Sequence, residues 1–150
     1  CDTPVAPNDQ YRAEMDCPPD PERARALLSE AGYPDGLDIN VYVSALDPSW
    51  PVIGVAFQEQ AARAGIRVSL VNAAADGYWS NVWMKKPAFA TAWGERPADQ
   101  VLNEAFHSDS KWNESHYSNP EFDRLLEAAR AELQAQLERP DGVPVPVVAE

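Results

Sequence analysis

Residues 33 to 70 constrain this chain more than any other stretch. After the turn Tyr33-Pro34-Asp35-Gly36, the apolar residues Leu37, Ile39, Val41 and Val43 alternate with Asp38, Asn40, Tyr42 and Ser44, the period of a strand with one apolar face. Asp47-Pro48 then supplies a cap and a proline for a helix whose apolar stripe reads Ile53, Ala56, Phe57, Ala61 and Ala64, stopped by Gly65. Ile66, Val68 and Leu70 resume the alternation against Arg67 and Ser69. Strand, helix and strand over about 35 residues is the length of a βαβ crossover, the connection that parallel strands require. The fold class that follows is α/β, an open βαβ-containing sheet flanked by helices.

The flanking sequence adds helices to this unit. Asp20-Pro21 is a cap and a first-turn proline, and Ala24, Leu27, Leu28 and Ala31 recur at helical spacing before Gly32. Residues 73 to 86 are mixed, with Tyr78, Trp79, Val82 and Trp83 suiting a helix that has two partly buried faces. The Trp79 and Trp83 pair, four residues apart, favours packing over ligand stacking, since large rings mostly serve buried area. Phe89 to Trp93 reads as a third strand, with Phe89, Thr91 and Trp93 on one face. Pro97 opens a helix that buries Ala98, Val101, Leu102 and Ala105, and Asn119-Pro120 caps another with Phe122, Leu125, Leu126, Ala129 and Leu133 on its apolar side. At the two ends, Pro4, Pro7, Pro18 and Pro19 mark an extended opening, and the prolines from Pro140 onward exclude an interior strand.

Composition removes several function classes. With 24 acidic against 12 basic residues the formal net charge is -12, which opposes both nucleic acid and anionic lipid. No apolar run approaches the roughly 18 residues of a spanning helix, so no membrane insertion of this chain is expected. The only cysteines, Cys1 and Cys17, fit either a disulfide that closes a small loop or two thiols on an arm. No Cys/His set has zinc spacing, no glycine-rich phosphate loop occurs, and the serines around His107 and His116 lack a nucleophile-elbow pattern. Neither a metal, a cofactor nor an enzymatic activity is therefore expected.

Chemistry concentrates instead between Phe89 and Asn119, where Trp93, Phe106, Trp112 and Tyr117 mix with Glu95, Arg96, Asp99, His107, Asp109 and Asn113. Rings give contact area at low entropic cost, and a guanidinium beside carboxylates can hold a carboxylate or a zwitterion in fixed geometry. The segment from Trp93 to Asp99 runs from a strand end through a turn to a helix start, the place where open α/β sheets bind ligands. The alternative is a half-core tryptophan beside a solvated turn.

Four blocks, DPERARALLSEAGYPDGLDINVYVS (20 to 44), FQEQAARAGIRVSLV (57 to 71), AWGERPADQVL (92 to 102) and FHSDSKWNESHYSNPEFDRLLEAARAEL (106 to 133), together resemble the family 5 extracytoplasmic solute-binding proteins that serve dipeptide and oligopeptide ABC transporters. DTPVAP (2 to 7) resembles the segment that precedes the first block. The resemblance covers the C-terminal half of such proteins. It implies one lobe of a two-lobed, type II periplasmic-binding-protein architecture, divided here into a proline-rich arm (1–19), a partial ligand-binding lobe (20–138) and a proline-rich tail (139–150). It further implies a non-enzymatic substrate-binding component in the periplasm or outside the cytoplasm, with a peptide or other small solute and an ABC permease as partners. A docking module without autonomous ligand binding is the alternative, with Trp79, Trp83 and Trp112 as its anchors. The site residues that carry over are Trp93, Gly94, Glu95, Arg96 and Asp99, with Trp112 and Asn113 beside them. The loop reads GERPADQ here, without the Asp-rich form familiar in the family, so its partners for amine and carboxylate are open.

Overall fold

The computed structural model describes residues 3 to 137. The expected tail, and any edge strand in it, lies outside them. Two compact units make up the chain, one from Asp16–Trp93 and the other from Cys1–Met15 with Gly94–Glu150.

The Asp16–Trp93 unit contains α1 (Pro21–Glu30), β1 (Leu37–Ser44), α2 (Ser49–Arg63), β2 (Ile66–Ala73) and the single-turn α3 (Tyr78–Asn81). The expected crossover is present: β1 and β2 pair in parallel, with Leu37 opposite Ile66 and Ser44 opposite Ala73. Asp20 caps α1 by accepting the Arg23 amide at 2.8 Å, and Pro21 stands in the first turn. At the start of α2, Asp47 accepts both the amide and the hydroxyl of Ser49, and Pro48 takes the cap position one residue later than the sequence suggests. That hydroxyl, and after it the amide, hold the Asp47 carboxyl below its ordinary range.

Which face of α2 is buried differs from the expected stripe. Trp50, Gly54 and Ala61 are covered, whereas Ile53 is 61% and Phe57 45% exposed. The helix is apolar on more than one side, so periodicity could not choose between them. Gly54 decides it, because a Cβ there would stand 3.0 Å from Leu70 Cδ2 and 3.1 Å from Val43 Cγ1. With glycine there the helix comes this close to both strands without Leu70 or Val43 having to give way. Val43, Trp50, Tyr78 and Val82 form the core beneath, with Val41, Leu70 and Phe89 packed against it.

The third strand is reduced to one parallel bridge between Tyr42 and Phe89. The Tyr42 amide donates to Ala88 O at 3.0 Å and its carbonyl accepts the Ala90 amide at 2.8 Å. A ladder does not extend on either side. Pro87 has no N–H to contribute, and the Ala90 carbonyl is taken by the hydroxyl of Tyr78, which is fully buried and donates to it at 2.8 Å. The helix expected over 73 to 86 shortens to α3 and turns, with Met84 at φ 53° breaking helical geometry. Its rings still pack: Trp79 meets Trp50 at 6.1 Å and Trp83 at 6.2 Å, both edge-on.

In the other unit, α4 (Ala98–Phe106) packs against α5 (Pro120–Leu137). Ala98 and Val101 are buried as expected, but on α5 the covered residue is Leu126, and Leu125 is exposed. Asn119 caps α5 through its side-chain oxygen, which accepts the Glu121 and Phe122 amides.

Gly36 fixes where the parallel pair starts. Its φ is +89°, and an added Cβ would lie 2.3 Å from Gly65 O, the carbonyl that accepts the Leu37 amide at 3.1 Å. Gly36→Ala combines a left-handed backbone penalty with a forced backbone shift and should cost at least about 2 kcal/mol. Chemical denaturation followed by circular dichroism measures it, and an unchanged midpoint would refute the close approach.

Candidate functional site

The functional stretch crosses the boundary between the units, so its residues divide. Trp93 ends the first unit and is half-buried, whereas Gly94, Glu95, Arg96, Asp99, Trp112 and Asn113 belong to the second. Within the second unit the loop from Gly94 to Pro97 leads directly into α4. A proline at the cap position has no side-chain acceptor to offer the helix, and α4 has no cap bond of its own from that residue. The acceptor comes instead from the opening arm: Asp9 Oδ2 takes the Ala98 amide at 2.9 Å, across 89 residues of sequence.

Arm and loop enclose a solvent-open cavity of about 270 Å³ lined by Ala6, Asn8, Asp9, Glu95, Arg96 and Pro97. Glu95 and Gly94 are exposed, and Arg96 is partly covered. The guanidinium is positioned from two sides. Its Nη1 donates to the Gly94 carbonyl at 3.1 Å, and its Nε pairs with Glu104 Oε2 at 3.1 Å. Glu104 is itself held by Gln100 Nε2 at 2.8 Å, one helical turn earlier on α4. Glu95 stands on the cavity wall with Arg96, and Asp99 lies in the first turn of α4, where its backbone carbonyl accepts Arg130 Nη1 at 3.3 Å. Such a wall can present a guanidinium and carboxylates to a small charged solute, and nothing in it supplies a nucleophile with a base.

Trp112 and Asn113 sit in the loop between α4 and α5 and behave differently. The Trp112 side chain is largely exposed. Asn113 is only 4% exposed, and its amide is spent inside the loop. Nδ2 donates to the carbonyls of Tyr117 at 2.7 Å and His107 at 3.2 Å, while Oδ1 accepts the Tyr117 amide and the Ser115 hydroxyl. Two donors and two acceptors exhaust what an asparagine side chain can make. The loop is closed further by Asp123, which accepts the Ser108 amide at 3.0 Å, and by His107, whose Nε2 lies 3.3 Å from Glu127 Oε1. The Ser108 hydroxyl, with that amide and the neighbouring His107, holds the Asp123 carboxyl below its ordinary value.

Asp9, which lines the cavity, and Glu104, which holds Arg96, were not legible as site residues. Glu104 could be found from the Gln100-to-Glu104 helical spacing once α4 is placed. Asp9 has no local signal, because its partner is remote.

Asn113→Ala removes the donor from the His107 and Tyr117 carbonyls and leaves the Tyr117 amide only the Ser115 hydroxyl, and it should lower stability by about 2–3 kcal/mol, read by thermal denaturation. Acid acts on the same loop through Asp123. Its folded pKa is depressed, so its contribution is complete above the ordinary value of 3.8 and is lost as pH falls through the lower folded value. The protection of the Ser108 amide, its exchange compared with the intrinsic rate at the same pH, should fall over that window, and Asp123→Asn should make that protection independent of pH. Ser108 protection that is flat with pH in the unaltered chain would contradict this.

Residues 2–114 match the family model described as bacterial extracellular solute-binding proteins, family 5, middle region. The glutathione-binding protein GsiB of Salmonella choleraesuis (strain SC-B67) is 32% identical over 124 residues, covering 75% of this chain and 24% of that protein. Among solved structures, the binding protein MoaA of A. tumefaciens R10 in complex with mannopinic acid superposes with a TM-score of 0.64 at 26% identity, over 74% of this chain and 24% of that one. The ABC transporter-associated periplasmic binding protein DppA of Helicobacter pylori, in complex with the peptide STSA, gives a TM-score of 0.63 at 24% identity, over 73% of this chain and 23% of that one. The chain thus spans about a quarter of the length of the relatives it matches. These relatives are solute-binding proteins, the fold is theirs, and the chain belongs to the family 5 bacterial extracellular solute-binding proteins.

Proposed function

We propose that this chain is a ligand-binding lobe of an ABC importer's substrate-binding component, acting outside the cytoplasm and taking short peptides or peptide-like solutes that carry a carboxylate. The observation that carries this reading is Arg96, held at its Nε by Glu104 on the wall of a solvent-open cavity beside Glu95 and Asp9. Arginine presents a planar fork that matches a carboxylate, and Glu95 offers an acceptor for an ammonium group of the same solute. Glutathione and mannopinic acid, named for two of the relatives, both carry carboxylates. The disulfide-bonded state of Cys17 suits an oxidising, extracytoplasmic setting. Gly94 and Asp99 shape the loop and the helix start, Trp112 offers ring surface, and Asn113 holds the 107 to 119 loop from inside.

A second reading, a docking module for a permease or another protein, is favoured by the outward face of α2, where Val52, Ile53 and Phe57 lie exposed. Self-association in light scattering, or binding of an apolar dye, is its signature.

Calorimetric titration with glutathione, a dipeptide and a neutral sugar separates the two. The carboxylate-bearing solutes should bind and the sugar should not. Arg96→Ala should weaken that binding by at least about 1.5 kcal/mol, roughly tenfold, with little change in the melting temperature. Equal affinity of the variant for every bound solute removes Arg96 from the site.

A further inference from the structure

Glu95 and Arg96 can present their charges to a solute only if the four-residue loop that carries them is held still, and the loop has few bonds of its own for that purpose. Arg96 folds back on Gly94 O, and Gln100 and Val101 donate to Pro97 O from the helix that follows. The Ala98 amide is the first of α4, in a residue only 4% exposed, and the preceding proline supplies no side-chain oxygen for it. Left without an acceptor, such a donor would carry the full desolvation cost of a buried N–H.

Asp9 removes that cost and does more than cap. The same carboxylate accepts the Tyr11 amide at 2.8 Å through Oδ1 and the Ala98 amide at 2.9 Å through Oδ2, so one side chain fastens the turn of the arm to the start of α4. The arm is folded to receive this role. Arg12 Nη1 donates to Val5 O at 2.7 Å, and the Arg12 amide donates to Asp9 O at 3.1 Å, which closes residues 5 to 12 on themselves. Ala6, Asn8 and Asp9 then form one wall of the cavity and Glu95, Arg96 and Pro97 the other. The Asp9-to-Ala98 bond therefore spans the two walls.

We propose that Asp9 is a positioning residue for the solute site: its carboxylate clamps the arm to the α4 N-terminus and so fixes the Gly94–Pro97 loop that presents Glu95 and Arg96. This rests on the ligand reading above, and it adds a residue of the arm to a site otherwise confined to the loop. The negative charge also suits the positive end of the α4 dipole, so aspartate satisfies the amide and the field together. Asparagine loses the charge and one of the two acceptor oxygens, so it can hold the Ala98 amide or the Tyr11 amide through its oxygen but not the two-oxygen clamp.

The test uses the ¹⁵N-labelled full chain and needs no ligand for its first arm. In Asp9→Ala the amide resonances of Gly94, Glu95, Arg96 and Ala98 should shift and broaden, while those of Leu37 to Ser44 hold. Asp9→Asn, with one acceptor oxygen for two amides, should restore the loop amides only in part. Loop amides that stay in place in Asp9→Ala overturn the proposal. Amide exchange in the unaltered chain guards against a variant that fails to fold: Ala98 should exchange as slowly as the interior of α4, and rapid exchange there also overturns it. In the second arm, glutathione is the probe, and Asp9→Ala should raise its apparent Kd several-fold, with Asp9→Asn recovering only part of the loss. A loop that moves without any change in Kd overturns the positioning role. An unaltered chain that binds no probe, with the loop amides still moving in Asp9→Ala, overturns the ligand reading and leaves the clamp itself standing.

Discussion

The parallel pair begins where two glycines meet, and the order of the first unit depends on that contact. Because a Cβ at Gly36 would fall 2.3 Å from the Gly65 carbonyl, the chain can bring Leu37 N to that carbonyl only with glycine in place. This sets Leu37 against Ile66 and, six residues on, Val43 against Asn72. A slip of one residue would turn every side chain of β1 to the opposite face. In the observed register Val43 comes beneath Gly54 of α2, and Asp38 comes opposite Arg67, whose Nε and Nη2 it accepts at 2.7 and 2.8 Å. The ion pair lies in solvent and stabilises little. It reports the register more than it creates it. The buried contacts beside Gly54 carry the energy.

What the sequence made legible follows from how local each signal is. The two strands, the caps at Asp20 and Asn119 and the glycine ends at Gly32 and Gly65 are written in neighbouring residues, and all are present. The buried face of α2 was not legible, because Val52, Ile53, Val55 and Phe57 make the helix apolar nearly all round. A small residue, Gly54, chooses the face by permitting approach, and apolar periodicity does not register an absent side chain. The third strand failed for a related reason. Phe89 to Trp93 has strand composition, yet its backbone groups find a tyrosine hydroxyl from α3 before they find a neighbouring strand.

The candidate site shows the same division between local and remote. The segment Gly94 to Asp99 was identifiable because a charged loop at a helix start has a sequence signature. Its supports were not, since Asp9 reaches it from 89 residues away and Glu104 from the far side of α4. Asn113 illustrates the converse. Its polar character in an aromatic loop suggested contact with a ligand, but burial and four saturated hydrogen-bonding positions make it the post around which the loop is folded. Residue type marks where polar chemistry is concentrated. Burial decides whether that chemistry faces outward.

The pairing of Arg96 with Glu104 bears on how such a wall would take a solute. A guanidinium left unpaired on a long side chain would sample many rotamers, and ordering it on binding would cost affinity. Glu104 orders it in advance. The pair is about one-third exposed on each side, at 32% and 35%, and pairs of that exposure contribute about 1 kcal/mol or less. A solute carboxylate that meets the guanidinium in fork geometry offers about 1.5–3 kcal/mol, so it can share or displace Glu104 at a net gain. The protein carboxylate would thus hold the cation in place without competing strongly for it. Gln100 binds the other carboxylate oxygen and would keep Glu104 aligned through such an exchange.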